Sequence, residues 1–486
     1  MTIIPFPQFS PDRAALEGGI APYVNNVRPK NERGYGPLRS LSTTGDALTA
    51  RCQGARSYRG TDGTIETFAG DATKLYRWNG TTWADVSKVG GYACPDEGRW
   101  TYEQFGAYVY AANGVDSMQT WTLGSSSAFA DAAGAPTGRY LATVRDFLFV
   151  GHLAADVQAV QWSSQFDSTT WAGNQADSQS FPNNGRITGI VGGQYVVIFQ
   201  EHGITLGTYV GPDNIFQFDE ISQERGCIVP GSIATIEQTT IFLDNDGFYR
   251  IDGGQQITRI GDGVVDDYFW DNVDQANLHR VWSQFNHRTK DYYITFPTTA
   301  AMNGTNNRTL IYNSSRGRWG QMDSTGFDVL FQMFSDLSID LDTDIDVADQ
   351  DLDGAGLPSL DSEIFLGSNV PKLAAFNSNK LVGFFAGDTM EALIDTEEAM
   401  LAGGRTAFVS MVRPVVDGGT LSVALGTRDR PNDSISVGSF VSQNNSGECL
   451  FRSRSRQHKA RVKVASGSTW TNAQGVDFRA VADGDR

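Results

Sequence analysis

The chain has 486 residues, 53 of them glycine and 16 proline, with 11% aromatic residues and a formal charge of −18. Its length suits one large domain with a smaller one, and its glycine and aromatic content suits a turn-dense all-β protein. So acidic a balance argues against a grip on nucleic acid over much of the surface. No run of about 18 apolar residues marks a membrane-spanning helix.

In chain order, the N-terminus MTIIPFPQFSPDRA has no basic stretch leading into an apolar one, so no signal peptide is expected. Residues 1–45 read as an extended, polar, Pro-containing arm laid across its own domain or a neighbouring subunit. From residue 46 a hairpin recurs: two short aromatic-rich strands joined by a tight turn. KLYRWNGTTWADVS (Lys74 to Ser87) and WTYEQFGAYVYAANGVDSMQTW (Trp100 to Trp121) are the first copies. Further copies begin at Arg145, Gly192, Gln238 and Lys290. Asn-Gly and Asp-Gly at the turns predict type I′ geometry, in which both central residues take φ > 0. Starts recur at roughly 40–50 residues, the spacing of propeller blades. The sequence therefore predicts an all-β fold: a β-propeller of six or seven blades over 46–400, then a C-terminal β-sandwich over 401–486.

Three segments interrupt the pattern. Near 264–285, VVDDYFWDNVDQANLHRVWSQF places apolar residues at helical spacing and predicts a short helical insertion on the rim. Residues 335–363 are rich in carboxylates and contain no Lys or Arg, which predicts an exposed loop unless cations bind it. Met390 to Leu401 is open between helix by residue type and strand by context. Beyond Arg405, the segments before and after Asp417-Gly418 read as one hairpin, and ARVKVASGSTWTNAQGVDFRAV as another.

Chemistry-bearing motifs are sparse. The chain has no GxSxG, no GxxxxGK[ST] and no HExxH, and its five histidines are not spaced as a metal pair. Cys52, Cys94, Cys227 and Cys449 are scattered, and read as buried free thiols rather than a zinc site or a disulfide framework. Asp349, Asp351 and Asp353, followed by Gly354, open like a calcium loop, but Leu360 stands where the closing Glu belongs. Hard oxygen ligands here fit Ca²⁺ or Mg²⁺, with Asp342, Asp344 or Asp346 helping; the alternative is a solvated acidic loop. No other cofactor is indicated. Near the C-terminus Arg452, Arg454, Arg456 and His458 fall at every second residue, which on one strand places them on one face; Lys459, Arg461 and Lys463 extend the cluster. In so acidic a chain this reads as a docking stripe for an acidic neighbour, with a solvated strand or DNA backbone contact as alternatives. Trp83, Trp121 and Trp171 at hairpin ends are either blade packing or sugar platforms.

The order of several segments resembles the tail hub, or nozzle, proteins of short-tailed bacteriophages, also described as packaged-DNA stabilisation proteins. These are YVNNVRPKNERGYGPLRSL, the segment Trp100 to Trp121, and DVQAVQWSSQFDSTTW. They are followed by DQANLHRVWSQFNHRTKDYYITFP with LIYNSSRGRW, and by the C-terminal sequence of RPVVDG, GTRDR, the Arg-rich strand and STWTNAQGVDFRA. The resemblance implies a non-enzymatic virion protein assembled in the bacterial cytoplasm, in a ring of typically six subunits below the portal and its adaptor. Such a ring extends the DNA channel, retains the packaged genome without sequence-specific contacts, and carries tail fibres or spikes. Six copies would carry about −108 (six times −18), and like charge keeps a duplex from sticking to a channel wall. A propeller-type receptor- or glycan-binding tail protein or adhesin is the alternative; a carbohydrate-active enzyme using paired carboxylates is a third reading.

Overall fold

A computed structural model describes residues 2–14, 18–323, 326–334 and 371–483. Seven four-stranded antiparallel units form a β-propeller. Their innermost strands are Gly54–Arg59, Thr101–Phe105, Gly138–Val144, Ile187–Val191, Ala234–Ile236, Trp282–Asn286 and Phe327–Phe334; we number the blades 1 to 7 in that order. The ring closes where Phe327–Phe334 packs against Gly54–Arg59. Blade 7 takes its outermost strand from the other end of the chain: Ser42–Thr44 pairs with Val382–Phe384. A ring held by one strand from its N-terminal side cannot open without breaking that ladder.

The turns reach their geometry differently from the type I′ expectation. At Asn79-Gly80 and Asn113-Gly114 only the glycine has positive φ (101° and 84°). The asparagine Oδ1 instead accepts from the backbone, Asn79 from Thr81 and Thr82 at 3.0 and 2.7 Å and Asn113 from Val115 and Asp116 at 3.0 and 2.9 Å. These are Asx turns, in which the side chain itself supplies the acceptor that fixes the reversal. Blades adhere through aromatic seams: Trp121 packs edge-on to Phe68 at 5.3 Å, and Phe149 packs edge-on to Phe216 of the next blade at 4.9 Å.

The predicted helical insertion is real but shorter. It comprises an α-helix, Asp266–Asn272, and a 3-10 turn, Gln275–Arg280, after which Trp282–Asn286 is the inner strand of blade 6. Those five residues alternate in burial, so a strand's period of two was hidden under apparent helical spacing. Asp12, from the N-terminal segment, accepts from Asp267 and Tyr268 N–H at 3.1 and 2.7 Å and so satisfies the helix's first free donors.

Residues of the N-terminal segment are structural strands of this chain's own domain. Thr2–Pro5 pairs with Ala473–Ala482, and Val27–Asn31 with Gly34–Pro37. With Ala407–Val416 and Cys449–Ser455 they make one layer of a sandwich, joined through Gln321↔Val27 to the outer strand of blade 6. The second layer holds Val24–Asn25, Ala392–Asp395, Gln457–Val464 and Leu421–Arg428. Met390 to Leu401 thus contributes a strand. Ala407–Val416 and Leu421–Arg428, read from the sequence as one hairpin, lie in different layers, as do Gln457–Val464 and Ala473–Ala482. Alternation shows which residues face a core, not which strand lies alongside. One apolar cluster runs from Phe248, Phe269 and Trp319 at the propeller rim to Val412, Val462 and Phe478 between the layers.

Candidate functional site

The inner strands of all seven blades enclose an axial cavity of about 590 Å³, a volume suited to a small molecule. Four titratable side chains other than tyrosine line it: Arg56, Arg99, Glu103 and His287. Arg56 faces Glu103 at 3.5 Å, so those charges offset one another. Burial, then the nearby Arg56, holds the His287 imidazole below its ordinary pKa, which favours its neutral form. The remaining charge is Arg99, which is 9% exposed. Its Nη2 donates to the carbonyls of His279 and Val281 at 3.3 and 3.1 Å. Blades 2 and 6 are not neighbours, so this side chain lies across the channel mouth. The guanidinium sits 4.4 Å over the Trp282 ring. Gly231 makes room for it: a Cβ there would stand 2.6 Å from Arg99 Nη2 and 1.8 Å from the Val281 carbonyl. Beside it, Asp96 binds Arg51 at 3.1 Å and Arg280 at 3.2 Å, tying the approach to blade 2 to that of blade 6. The propeller axis is thus crossed at one end by side chains and does not form an open bore there.

The basic stripe is divided by the fold. Arg452 and Arg454 are exposed on Cys449–Ser455, the edge strand of the first sandwich layer, and Arg456 is exposed at the bend that follows. There the chain crosses to the second layer, so His458 leaves the common face the sequence predicted, and Lys459, Arg461 and Lys463 follow it on the new strand. His458 is fully buried, and neither ring nitrogen has a hydrogen-bond partner among the described residues. Lys459 and Arg461 converge on Asp395, itself fully buried, at 2.8 and 2.6 Å. Buried charges need such partners, and that commits both cations to the fold. What remains outside is an edge of Arg452, Arg454 and Arg456 with exposed Leu450. Arg454 meets Asp483 at 2.6 Å there.

The three tryptophans lie within packed surroundings. Trp121 is 1% exposed and donates to Glu66 Oε2 at 2.7 Å. Trp171 is buried, and Trp83 packs against Trp78 and Phe376. All four cysteines are free and buried; burial pushes the Cys227 and Cys449 thiols up to about 11, so they stay protonated and poorly nucleophilic. Asp349, Asp351 and Asp353, with the rest of 335–363, lie outside the described residues. Among the described residues no three His, Cys, Asp or Glu side chains gather as a metal site, and no helix is long and apolar enough to cross a membrane.

Arg99 and its Trp282 platform were not singled out from the sequence. A lone arginine before Trp100 carries no pattern, since its partners lie 180 residues away.

No family model matches the chain, and no curated protein matches it in sequence. Among solved structures, the extracellular domain of a candidate one-component system from B. thetaiotaomicron aligns over 86% of this chain at 10% identity and a TM-score of 0.42. This chain spans about half (48%) of that one's length. AztD from Citrobacter koseri, without ligand, aligns over 60% of this chain and 94% of its own at 13% identity and TM-score 0.31. The WD40 domain of Pan2 from Neurospora crassa aligns over 61% and 82% at 6% identity and TM-score 0.33. The fold is an all-β propeller.

Proposed function

We propose that this chain is a structural virion protein, a tail hub subunit of a short-tailed phage that works by assembly rather than catalysis. The observation that carries the reading is the sandwich edge, where Arg452, Arg454 and Arg456 stand exposed beside Leu450 on a chain of charge −18. An unpaired strand edge offers backbone donors and acceptors, and its arginines select an acidic partner. Support also comes from the sandwich being continuous with blade 6 and woven from both ends of the chain, which gives a rigid platform for contacts on several sides. Because side chains cross the propeller's own axis, a DNA channel in this reading runs between subunits, lined by their acidic outer surfaces. The ring is a homo-oligomer, six-fold in the reading drawn from resemblance, held against a portal adaptor on one side and fibres or spikes on another.

Immunogold labelling of purified phage particles with an antibody against this chain tests the reading. Gold at the single tail vertex, on the axis, is the expected outcome. Absence of label, together with absence of the chain from the particles by mass spectrometry, would sink it.

A further inference from the structure

From the axial cavity we infer that Arg99 is the anchor of a binding site for a small oxyanion-bearing molecule, one that presents a carboxylate or phosphate group to the guanidinium.

Arg56 and Glu103 offset each other at 3.5 Å. Arg99 has no carboxylate within ion-pairing distance among the described residues, although it is nine-tenths buried. A buried cation ordinarily comes with an anion, since removal from water costs several kcal/mol per ion. Burial foremost, with like charge from Arg139 and Arg51 added against the opposing influence of Tyr140, holds the Arg99 pKa down to about 10. Asp96 is engaged by Arg51 and Arg280. The protein acceptors found are two carbonyls, both on one nitrogen, Nη2. Nε and Nη1 have no protein acceptor among the described residues, and the side chain forms part of the wall of a 590 Å³ cavity.

Shape agrees with charge. With Nη2 held by the two carbonyls, Nη1 is left to donate to one oxygen of a carboxylate or phosphate, a charge-assisted hydrogen bond. Trp282 fixes the plane from one side, and Gly231 leaves the space in which the fork lies. Pre-set in this way, the group loses little freedom on binding. The cavity is large enough for a ligand well beyond a bare ion, and Arg56 with Glu103 offers that ligand a second polar contact.

The test is titration of the full chain with inorganic phosphate and, separately, citrate, at an ionic strength held constant with sodium chloride. Calorimetry reads binding, and tryptophan fluorescence reads the change over Trp282. Saturable heat is expected for at least one probe, with Kd on the order of 1 mM or tighter; which one binds better identifies the oxyanion as phosphate or carboxylate. R99Q should weaken it at least tenfold, and W282F should remove the fluorescence change while leaving the heat. No saturable heat from either probe with the wild-type chain overturns the inference, and this arm stands even where R99Q does not fold. Equal affinity in a folded R99Q, or a fluorescence change that persists in W282F, overturns it too.

Discussion

His458 sits on the basic stripe by sequence and inside the protein by structure, and the difference is measurable. Burial pushes its pKa from 6.5 down to about 4, with Asp429 only partly opposing. Since the folded value lies below the unfolded one, between pH 6.5 and 4 the unfolded chain binds the extra proton, and folding stability falls as pH is lowered through that window. Asp266 and Asp328 act in the opposite sense: burial raises both to about 6, so the folded state takes up their protons first. A comparison with H458L isolates the histidine. Between pH 7 and 4.5 the wild-type chain should lose about 2 kcal/mol more than H458L by urea unfolding; equal losses would show that the ring is not buried. At the neighbouring Lys459 and Arg461 the chemistry is that of an ion pair. D395N leaves Lys459 and Arg461 facing a neutral amide in a closed layer, and loss of one partner of a buried pair costs roughly 3–5 kcal/mol. A urea midpoint unchanged in D395N would mean that water reaches this pair.

At the scale of elements, legibility followed distance along the chain. The hairpins were readable because everything that makes one, as at Trp78, Asn79-Gly80 and Trp83, lies within a few residues. Strand swaps left no trace of that kind: Ser42–Thr44 meets Val382–Phe384 some 340 residues away, and three exposed polar residues announce no blade. The basic stripe was misread for a related reason. A period of two assumes one continuous strand, and the bend at Arg456 carries the chain into the other sandwich layer. Lys459 and Arg461 found their partner, Asp395, 64 and 66 positions away, beyond any local pattern. The closing strand yields its own prediction. A Cβ on Gly383 would stand 2.4 Å from the Ser42 carbonyl, too close for the ladder to hold its register. G383A should therefore cost about 1–3 kcal/mol and speed hydrogen exchange at Thr44 and its ladder partners before the rest of the ring. Uniform exchange across all seven blades would argue against ring closure by this strand.

For the molecule as a whole, the question is what a −18 chain gains from an exposed arginine edge. If the edge only kept the protein in solution, added negative charge there would do as well. If it docks an acidic neighbour, contact strength depends on opposite charges that salt screens over a Debye length of about 10 Å at 0.1 M. The triple variant R452E/R454E/R456E separates the two. Its substitutions lie at exposed positions, where changes usually shift stability by no more than about 0.5 kcal/mol, so its unfolding midpoint should stay close to that of the wild-type chain. Light scattering should show wild-type oligomers at about 0.05 M salt that dissociate toward 0.5 M, and monomers of the triple variant throughout. K459M offers the contrast: it strips one cation from the Asp395 pair, so it should lower the unfolding midpoint while leaving the arginine edge in place. Wild-type assembly of the triple variant would remove the edge from the docking surface. Monomers of the wild-type chain at every salt concentration would show that the arginine edge does not join copies of this chain.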